Sequence, residues 1–473
     1  MDLKQHLMQN SPSDLYEAIK KSKEKISKKS VVVLTSRNDE SKDNGLFRTA
    51  KKISEICQSR RIPCYSAFVE TSFIKKDESG IKTIHNYDDK HGFIVDPFNT
   101  VVIIRGSVAR SKSTMDMITQ LERDNIFCVN SRNCLEICGD KYRTVLALSD
   151  AGIISPKTAL VQNKGNLEYS FESIGGKFPV ILKTLSGSKG VGVFFAESWK
   201  SFRPMLDTIW KINEEEEILI QQYIEAPYDI RVHVLGEEVI ASMKRIVIDN
   251  DFRSNFSLGG KTAKIKISDE QKEICIKAAK AVGAVWCGVD LIVDKKGNTY
   301  VLEVNSSPGT EGIEKTTGLP VTNTVLDNVL NEDNWMKVYR ECGYLETLDI
   351  EGIGPVQAKM DTGNSNFNVL HSDGHKINGN NVEWTTNGKK MVRPLKKIKD
   401  AKLGGLKDGT EDRPIIELDV FFGGITYKSV NFALSNRDGR ASIALMNRSF
   451  LRKACVMVHP GKEFVMSIKE EKV

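Results

Sequence analysis

Gly288-Val289-Asp290-Leu291-Ile292-Val293-Asp294, then Lys295-Lys296-Gly297-Asn298, then Thr299-Tyr300-Val301-Leu302-Glu303-Val304-Asn305: this stretch decides how the chain is read. Two apolar runs flank a turn signal, the pattern of a β-hairpin. With Lys296 and Gly297 as a two-residue turn, Asp290 falls opposite Glu303. Glu303 and Asn305, two apart, share a face. Val289 and Leu291 flank Asp290, and Val301, Leu302 and Val304 surround Glu303, so these acids interrupt apolar strands. Acids set this way need a partner or a cation. Two carboxylates and an amide oxygen on one patch are hard ligands that suit Mg²⁺, with water and phosphate filling its remaining positions.

Upstream, Val180-Ile181-Leu182-Lys183 reads as a strand, followed by a loop with Gly187, Gly190 and Gly192 and then a second strand. Glycines let backbone N–H groups approach an anion closely, and Lys183 can reach a phosphate as a point charge. The order Gly-x-x-Gly-x-Gly between strands is not the dinucleotide fingerprint. Gly260-Lys261-Thr262 fails as a Walker A loop because Asn255 stands where its earlier glycine belongs. The apolar segment Glu217–Ile224 can offer its backbone to an adenine edge, with Asp229 for ribose hydroxyls and Arg231 and Arg253 as fixed charge. A single arginine is more often one half of a surface salt bridge; in company with the acid patch and the glycine loop that account weakens.

The bulk numbers set bounds. A chain of 473 residues should form two or three domains. A net charge of +6 favours an acidic partner without specifying nucleic acid. No run is long enough to span a membrane, and the first residues lack a signal-peptide pattern. Nine cysteines without a spacing framework suit a reducing, cytoplasmic setting. The pattern predicts a basic helical leader over 1–30, an α/β domain over 31–135 opening on the buried parallel-type strand Val31–Leu34, a second α/β unit over 136–330, a helical linker over 331–345 and an all-β unit over 346–473.

In this order, Val180–Lys183, Asp229-Ile230-Arg231, Asp251–Asn255, Gly288-Val289-Asp290, Glu303–Gly309 and Glu311–Gly318 resemble the ATP-grasp ligases, most closely the RimK-type glutamate ligases. The resemblance implies an α/β (α+β) ATP-grasp fold behind an N-terminal α/β pre-ATP-grasp domain. It implies ATP and two Mg²⁺ ions as cofactors, with Mn²⁺ able to substitute. By it, Lys141 and Lys183 contact phosphates with the glycine loop; Gln222, Tyr223 and Asp229 frame the adenosine, Gln222 standing where the family has glutamate. Arg231, Arg253, Ser254 and Asn255 lie against nucleotide and acyl group, and Asp290, Glu303 and Asn305 hold the metal. The implied chemistry is ATP-dependent amide formation through an acyl phosphate, adding glutamate to a protein or peptide C-terminus; a small-molecule acceptor is the alternative. No covalent enzyme nucleophile is required.

Val356–Gly363, ending in Asp361-Thr362-Gly363, and Ala441–Leu451 resemble the two signatures of retropepsin-like domains of the RimB or "ATP-dependent zinc protease" family. That resemblance implies an all-β retropepsin-like domain that binds or cleaves the acidic product, or serves only as a docking module. Aspartic proteolysis needs two carboxylates sharing a proton, so Asp361 requires a second chain and a homo-oligomer is expected. Asn364 and Asn447 depart from the family pattern. His371 and His375 read as exposed loop histidines. The cationic run Lys389–Lys402 reads as a surface able to attract an acidic peptide.

Overall fold

Val31, Val32, Val33 and Leu34 are all essentially inaccessible to solvent, because their strand is central in a parallel sheet covered on both faces. The computed structural model describes residues 29–42, 45–76, 82–87, 92–106, 111–185, 192–246, 261–335, 337, 339–402 and 410–468. The expected leader lies almost wholly outside them. In the main, the described residues through Trp335 form one compact unit and those from Lys337 a second.

The first unit begins with β1 (Ser30–Thr35), β2 (Cys64–Phe68), β3 (Ser72–Lys76), β4 (Lys82–Asn86), β5 (Phe93–Val95), β6 (Thr100–Ile104) and β7 (Phe127–Val129). Strands β2-β1-β6-β7 pair in parallel, and β3-β4-β5 form a small antiparallel sheet. Alternation along β1 sorts two cores. Val31 and Val33 pack with Ala50, Ile53 and Cys57 of the helix Gly45–Ser59. Val32 and Leu34 pack with Met115, Ile118 and Leu121 of the helix Lys112–Arg123. The first of these cores continues through Met243, Trp286, Ile313 and Leu326, so the N-terminal sheet shares hydrophobic packing with the segment that follows.

That segment holds two antiparallel sheets. One, ordered β10-β9-β11-β8, uses β8 (Thr158–Val161), β9 (Val180–Thr184), β10 (Val193–Ala196) and β11 (Ile218–Gln222). The other, ordered β14-β13-β12-β15-β16, uses β12 (Tyr228–Leu235), β13 (Glu238–Ile246), β14 (Lys261–Lys264), β15 (Trp286–Val293) and β16 (Thr299–Asn305).

The hairpin β15–β16 reaches the expected register by another route. Its tip is the longer loop 294–298, organised by the Asp294 carboxylate, which accepts N–H bonds from Lys296 (2.8 Å) and Asn298 (2.9 Å). Val293 then faces Thr299, one residue out of the expected phase, and a β-bulge between the pairs Asp290–Glu303 and Leu291–Val301 corrects it. Val301 and Val304 thereby both reach the core while Glu303 points the other way.

The second unit comprises β17 (Arg340–Ile350), β18 (Gly354–Met360), β19 (Asn368–His371), β20 (His375–Asn378), β21 (Asn381–Thr386), β22 (Lys389–Pro394), β23 (Lys397–Lys402), β24 (Thr410–Phe422), β25 (Ile425–Ser435), β26 (Ala444–Met446) and β27 (Val456–Glu463). Strands β24-β25-β19-β26-β18-β17 pair in sequence, and β17 pairs back onto β24 through Asp349 and Ile350, closing a ring. The unit is β-rich rather than all-β, since Arg448–Ala454 is helical. The helical linker is also corrected: after a single 3₁₀ turn, Glu332–Asn334, the chain enters β17 at Arg340. Leu345, Leu348 and Ile350 are already buried within that strand.

Candidate active site

The sheet β14-β13-β12-β15-β16 is two-faced, and period-2 alternation is the cause. On one face Ile230, Val232, Val234, Cys287, Val289 and Leu291 pack with Cys275, Ala278 and Ala279 of the helix Asp269–Ala281. The opposite face carries Asp229, Arg231 and His233 from β12, Trp286, Gly288 and Asp290 from β15, Arg245 from β13, and Glu303 and Asn305 from β16. The register sets Arg231 beside Asp290, His233 beside Gly288, and Asp290 beside Glu303. Gly288 is a spatial requirement: a Cβ there would lie 3.0 Å from Pro308 Cβ and 3.1 Å from Arg231 Cδ.

Four of these groups form a buried chain of alternating charge. Arg245 donates from Nε and a terminal nitrogen to the two Asp229 oxygens, each at 2.6 Å, and pairs with Asp290 Oδ2 at 3.0 Å. Arg231 binds Asp290 in bidentate fashion, through Nε and through a terminal nitrogen at 2.8 Å. Burial alone would raise the Asp290 carboxyl, but the Arg231 and Arg245 charges overcome it and hold it at about 2. Burial would likewise lower the Arg245 guanidinium, and its two acids push it up instead.

Asp229 accepts from Arg245 through both oxygens and anchors the sheet. Arg231 is buried with its partner, its side chain 14% exposed and that of Asp290 5%, in keeping with the reading against a surface pair. Arg245 was missed; its signal is the alternation Ala241, Met243, Arg245, which places a guanidinium on the inward side of a strand.

Glu303 differs from Asp290. Asn305 Nδ2 donates to Glu303 Oε1 at 2.8 Å, and neither the other Glu303 oxygen nor the Asn305 amide oxygen has a partner among the described residues. Lys183 on β9 and Lys141 at the start of the helix Lys141–Asp150 are each lowered by burial, and in each the Glu303 charge works against that. The Glu303 charge thus bears on two ammonium groups from outside the sheet. The hard oxygens of Glu303 and Asn305 fit Mg²⁺. Asp290 beside them offers carboxylate oxygens that already accept from Arg231 and Arg245.

Lys141 Nζ also donates to the carbonyls of Thr184 (3.0 Å) and Leu185 (3.2 Å), at the start of the glycine loop. Gly192 closes that loop with φ +76°, and a Cβ there would meet Thr184 Oγ1 at 2.2 Å. Gly187 and Gly190 lie outside the described residues, as do Arg253, Ser254 and Asn255. Gln222 ends β11, exposed, its backbone N–H bonded to the Lys157 carbonyl (2.8 Å). Tyr223 follows at the crossing to β12, edge-on to Phe195 at 5.0 Å.

His233 is wholly buried, and neither ring nitrogen has a partner among the described residues. Burial first, then the charges of Arg231 and Arg105, lower its pKa from 6.5 to about 3. The unfolded chain therefore binds a proton between these values that the folded chain refuses. Stability is complete above pH 6.5 and falls toward pH 3, by about 1.4 kcal/mol per pH unit. Urea unfolding from pH 7 to pH 4 should show this slope in the wild type and a flatter one in His233→Leu; equal slopes would exclude His233 as the source.

Two antiparallel sheets joined at Gln222–Tyr223, with lysines on one side and oxygen ligands on the other, define an ATP-grasp ligase, an enzyme of ATP-dependent amide-bond formation. A model of the RimK-like ATP-grasp domain matches residues 138–329. A probable alpha-L-glutamate ligase of Haemophilus influenzae is 38% identical over 230 residues, 48% of this chain and 74% of that protein. A probable alpha-L-glutamate ligase of Coxiella burnetii is 37% identical over 227 residues, 47% and 73% respectively. Among solved structures, the ATP-grasp ligase PsnB complexed with minimal precursor aligns over 64% of this chain and 98% of its own, at 20% identity and TM-score 0.49. The chain belongs to the RimK-like ATP-grasp family. No described helix is long and apolar enough to cross a membrane.

In the second unit, Asp361 follows β18. Its Oδ1 accepts from the N–H groups of Gly363 (2.9 Å) and Asn364 (3.2 Å), and its own N–H donates to the Met446 carbonyl (2.8 Å). Asn447, where the resembled family has glycine, caps the helix Arg448–Ala454: its Oδ1 accepts from Phe450 N–H (2.9 Å). His371 is not an exposed loop histidine. It ends β19 with Nδ1 accepting from Arg437 N–H (3.0 Å) and Nε2 2.8 Å from Asp373 Oδ1, while His375 opens β20 in another sheet. The cationic run is divided too, between β22 and β23. Arg393 and Lys396 pair with Glu351 and Glu417, whereas Lys397 and Lys399 stand 5.4 and 4.7 Å from the Phe367 ring centre.

Proposed function

We propose that this ligase adds glutamate to the C-terminus of a peptide or protein through an acyl phosphate. The observation that carries the reading is the kinship with probable alpha-L-glutamate ligases, of which the chain spans about three quarters. In this reading Glu303 and Asn305 hold Mg²⁺, which when bound neutralises charge on the transferring phosphoryl group. Lys141 and Lys183 take phosphate oxygens, the turn at Gly192 presents backbone N–H groups to them, and Gln222 and Tyr223 border the base. Asp290, the third oxygen-bearing residue of the patch, stands opposite Glu303 and is held by Arg231 and Arg245. Positioning and electrostatics then supply most of the rate.

The second unit binds or trims the acidic product in this proposal. Support comes from the Asp361 turn and from Lys397 and Lys399 beside Phe367, cations suited to glutamyl carboxylates. Cleavage needs a second carboxylate, hence a homo-oligomer. Nine free cysteines support a reducing, cytoplasmic setting.

The test is incubation of the full chain with Mg²⁺, ATP, glutamate and a panel of peptides, read by ADP release and product mass. Peptides gaining glutamyl residues are the expected result. ADP release driven only by small-molecule acceptors, with no peptide gaining mass, would overturn the proposal. A glutamylated peptide that Asp361→Asn binds but no longer shortens would assign hydrolysis to the second unit.

A further inference from the structure

Asn305 is the last residue of β16, and past it the chain leaves the sheet for the loop 306–310 before the helix Glu311–Thr317. A ligand at a strand end holds its position only if the chain beyond it is fixed. Here almost every residue of the loop is tied to the N-terminal part of the unit. The Ser306 carbonyl accepts from Asn130 Nδ2 (2.7 Å), Ser307 Oγ accepts from Gly106 N–H (2.9 Å), the Pro308 carbonyl accepts from the Arg105 guanidinium, and Thr310 N–H donates to Thr49 Oγ1 (3.2 Å). Arg105 and Gly106 directly follow β6 and Asn130 follows β7, so the carboxyl ends of the parallel strands form the clasp. Asn130 also grips the start of β15: Nδ2 donates to the Trp286 carbonyl (2.6 Å), and Oδ1 accepts from the N–H groups of Val285 (2.8 Å) and Trp286 (3.1 Å). One amide therefore bridges both strands of the hairpin that carries the metal-binding patch.

Arg105 is the informative member. It is fully buried, its guanidinium lies 4.4 Å from the Trp286 ring centre, and Nε and one terminal nitrogen have no partner among the described residues. No acid pairs with it among those residues. Packing does not require a guanidinium here; a methionine or leucine would fill such a space without the cost of burying charge. What an apolar side chain cannot do is hold the Pro308 carbonyl and, through it, the chain leaving Asn305.

We propose that Arg105, supported by Asn130, is a positioning residue for the reaction: it fixes the loop after β16 so that Asn305 and Glu303 keep the spacing Mg²⁺ demands. This rests on Glu303 and Asn305 being the ligands. The test is calorimetric titration of ADP into the full chain at a series of Mg²⁺ concentrations. Arg105→Met should raise the Mg²⁺ concentration needed for half the metal-dependent gain in ADP affinity by about tenfold, the scale on which groups that hold a metal's ligands in place act. Its ADP affinity without Mg²⁺ should be unchanged. Arg105→Lys, which keeps the charge but not the fork, should recover part of the shift. Ser307→Ala removes only the acceptor for Gly106 N–H and should give a shift of about threefold, the size of one neutral hydrogen bond.

An unchanged Mg²⁺ dependence in Arg105→Met would overturn the proposal, as would equal weakening of ADP binding with and without Mg²⁺, the mark of general disruption. If Arg105→Met does not fold, Ser307→Ala decides by the same criteria. Glu303→Gln separates the two readings. If it retains the wild-type Mg²⁺ response, the ligand assignment fails and the positioning role falls with it. If it loses that response while Arg105→Met and Ser307→Ala keep it, only the positioning role is lost.

Discussion

Glu303→Ala is expected to slow ADP release at saturating ATP, Mg²⁺ and acceptor by about 10³-fold while the chain stays folded. Two features of the site set that expectation. Glu303 is the carboxylate on which the Lys141 and Lys183 charges bear. Among the described residues its hydrogen-bond partner is the amide of Asn305, two residues away, so removing it breaks no hydrogen bond to the rest of the sheet. Asp290→Asn is a poorer probe of chemistry because it also disrupts the pairs with Arg231 and Arg245. Turnover of Glu303→Ala within tenfold of wild type would remove Glu303 from the site.

Arg245→Met should have the largest effect on stability. It leaves both Asp229 oxygens and one contact of Asp290 without their cation in a place where the side chains are 5–8% exposed. Breaking a buried pair from one side costs about 3–5 kcal/mol. The loss should appear as a lower urea midpoint, and adding Asp229→Asn should restore part of it, because the two residues form one network. An exposed pair supplies the control: Arg203 and Glu168 are 57% and 73% exposed, and Arg203→Met should change stability by about 0.5 kcal/mol or less. Equal effects for the two arginines would mean that the buried chain of charge carries no special weight.

What the sequence made legible follows from what its patterns encode. Val31–Leu34 and Val101–Ile104 are uninterrupted apolar runs, and such runs have one comfortable home, the middle of a covered parallel sheet. Alternation made the shared face of Glu303 and Asn305 legible, but the pairing of Asp290 with Glu303 met expectation only because the longer tip and the bulge offset each other. The roles of Asp229 and Arg245 were not. They lie 16 residues apart and meet only through the β12–β13 register, which no local pattern announces. Arg105 was equally hidden, because a lone arginine after an apolar run reads as the point where a strand surfaces, and only the packing of Trp286 and Pro308 over it shows otherwise. The linker was misread because β17 opens on Arg340 and Glu341, charges that read as a solvated helix. Glu346, further along the strand, is fully buried and accepts N–H bonds from Gly343, Val465 and Met466.

The β15–β16 hairpin contains two phase errors, an odd-length tip and one surplus residue in the returning strand, and they cancel just before Glu303. Removing one residue from the tip while keeping the bulge would put the carboxylate out of phase with Asp290. Length variation at this edge of the enzyme is consequently quantised: the tip can change only in steps that preserve parity.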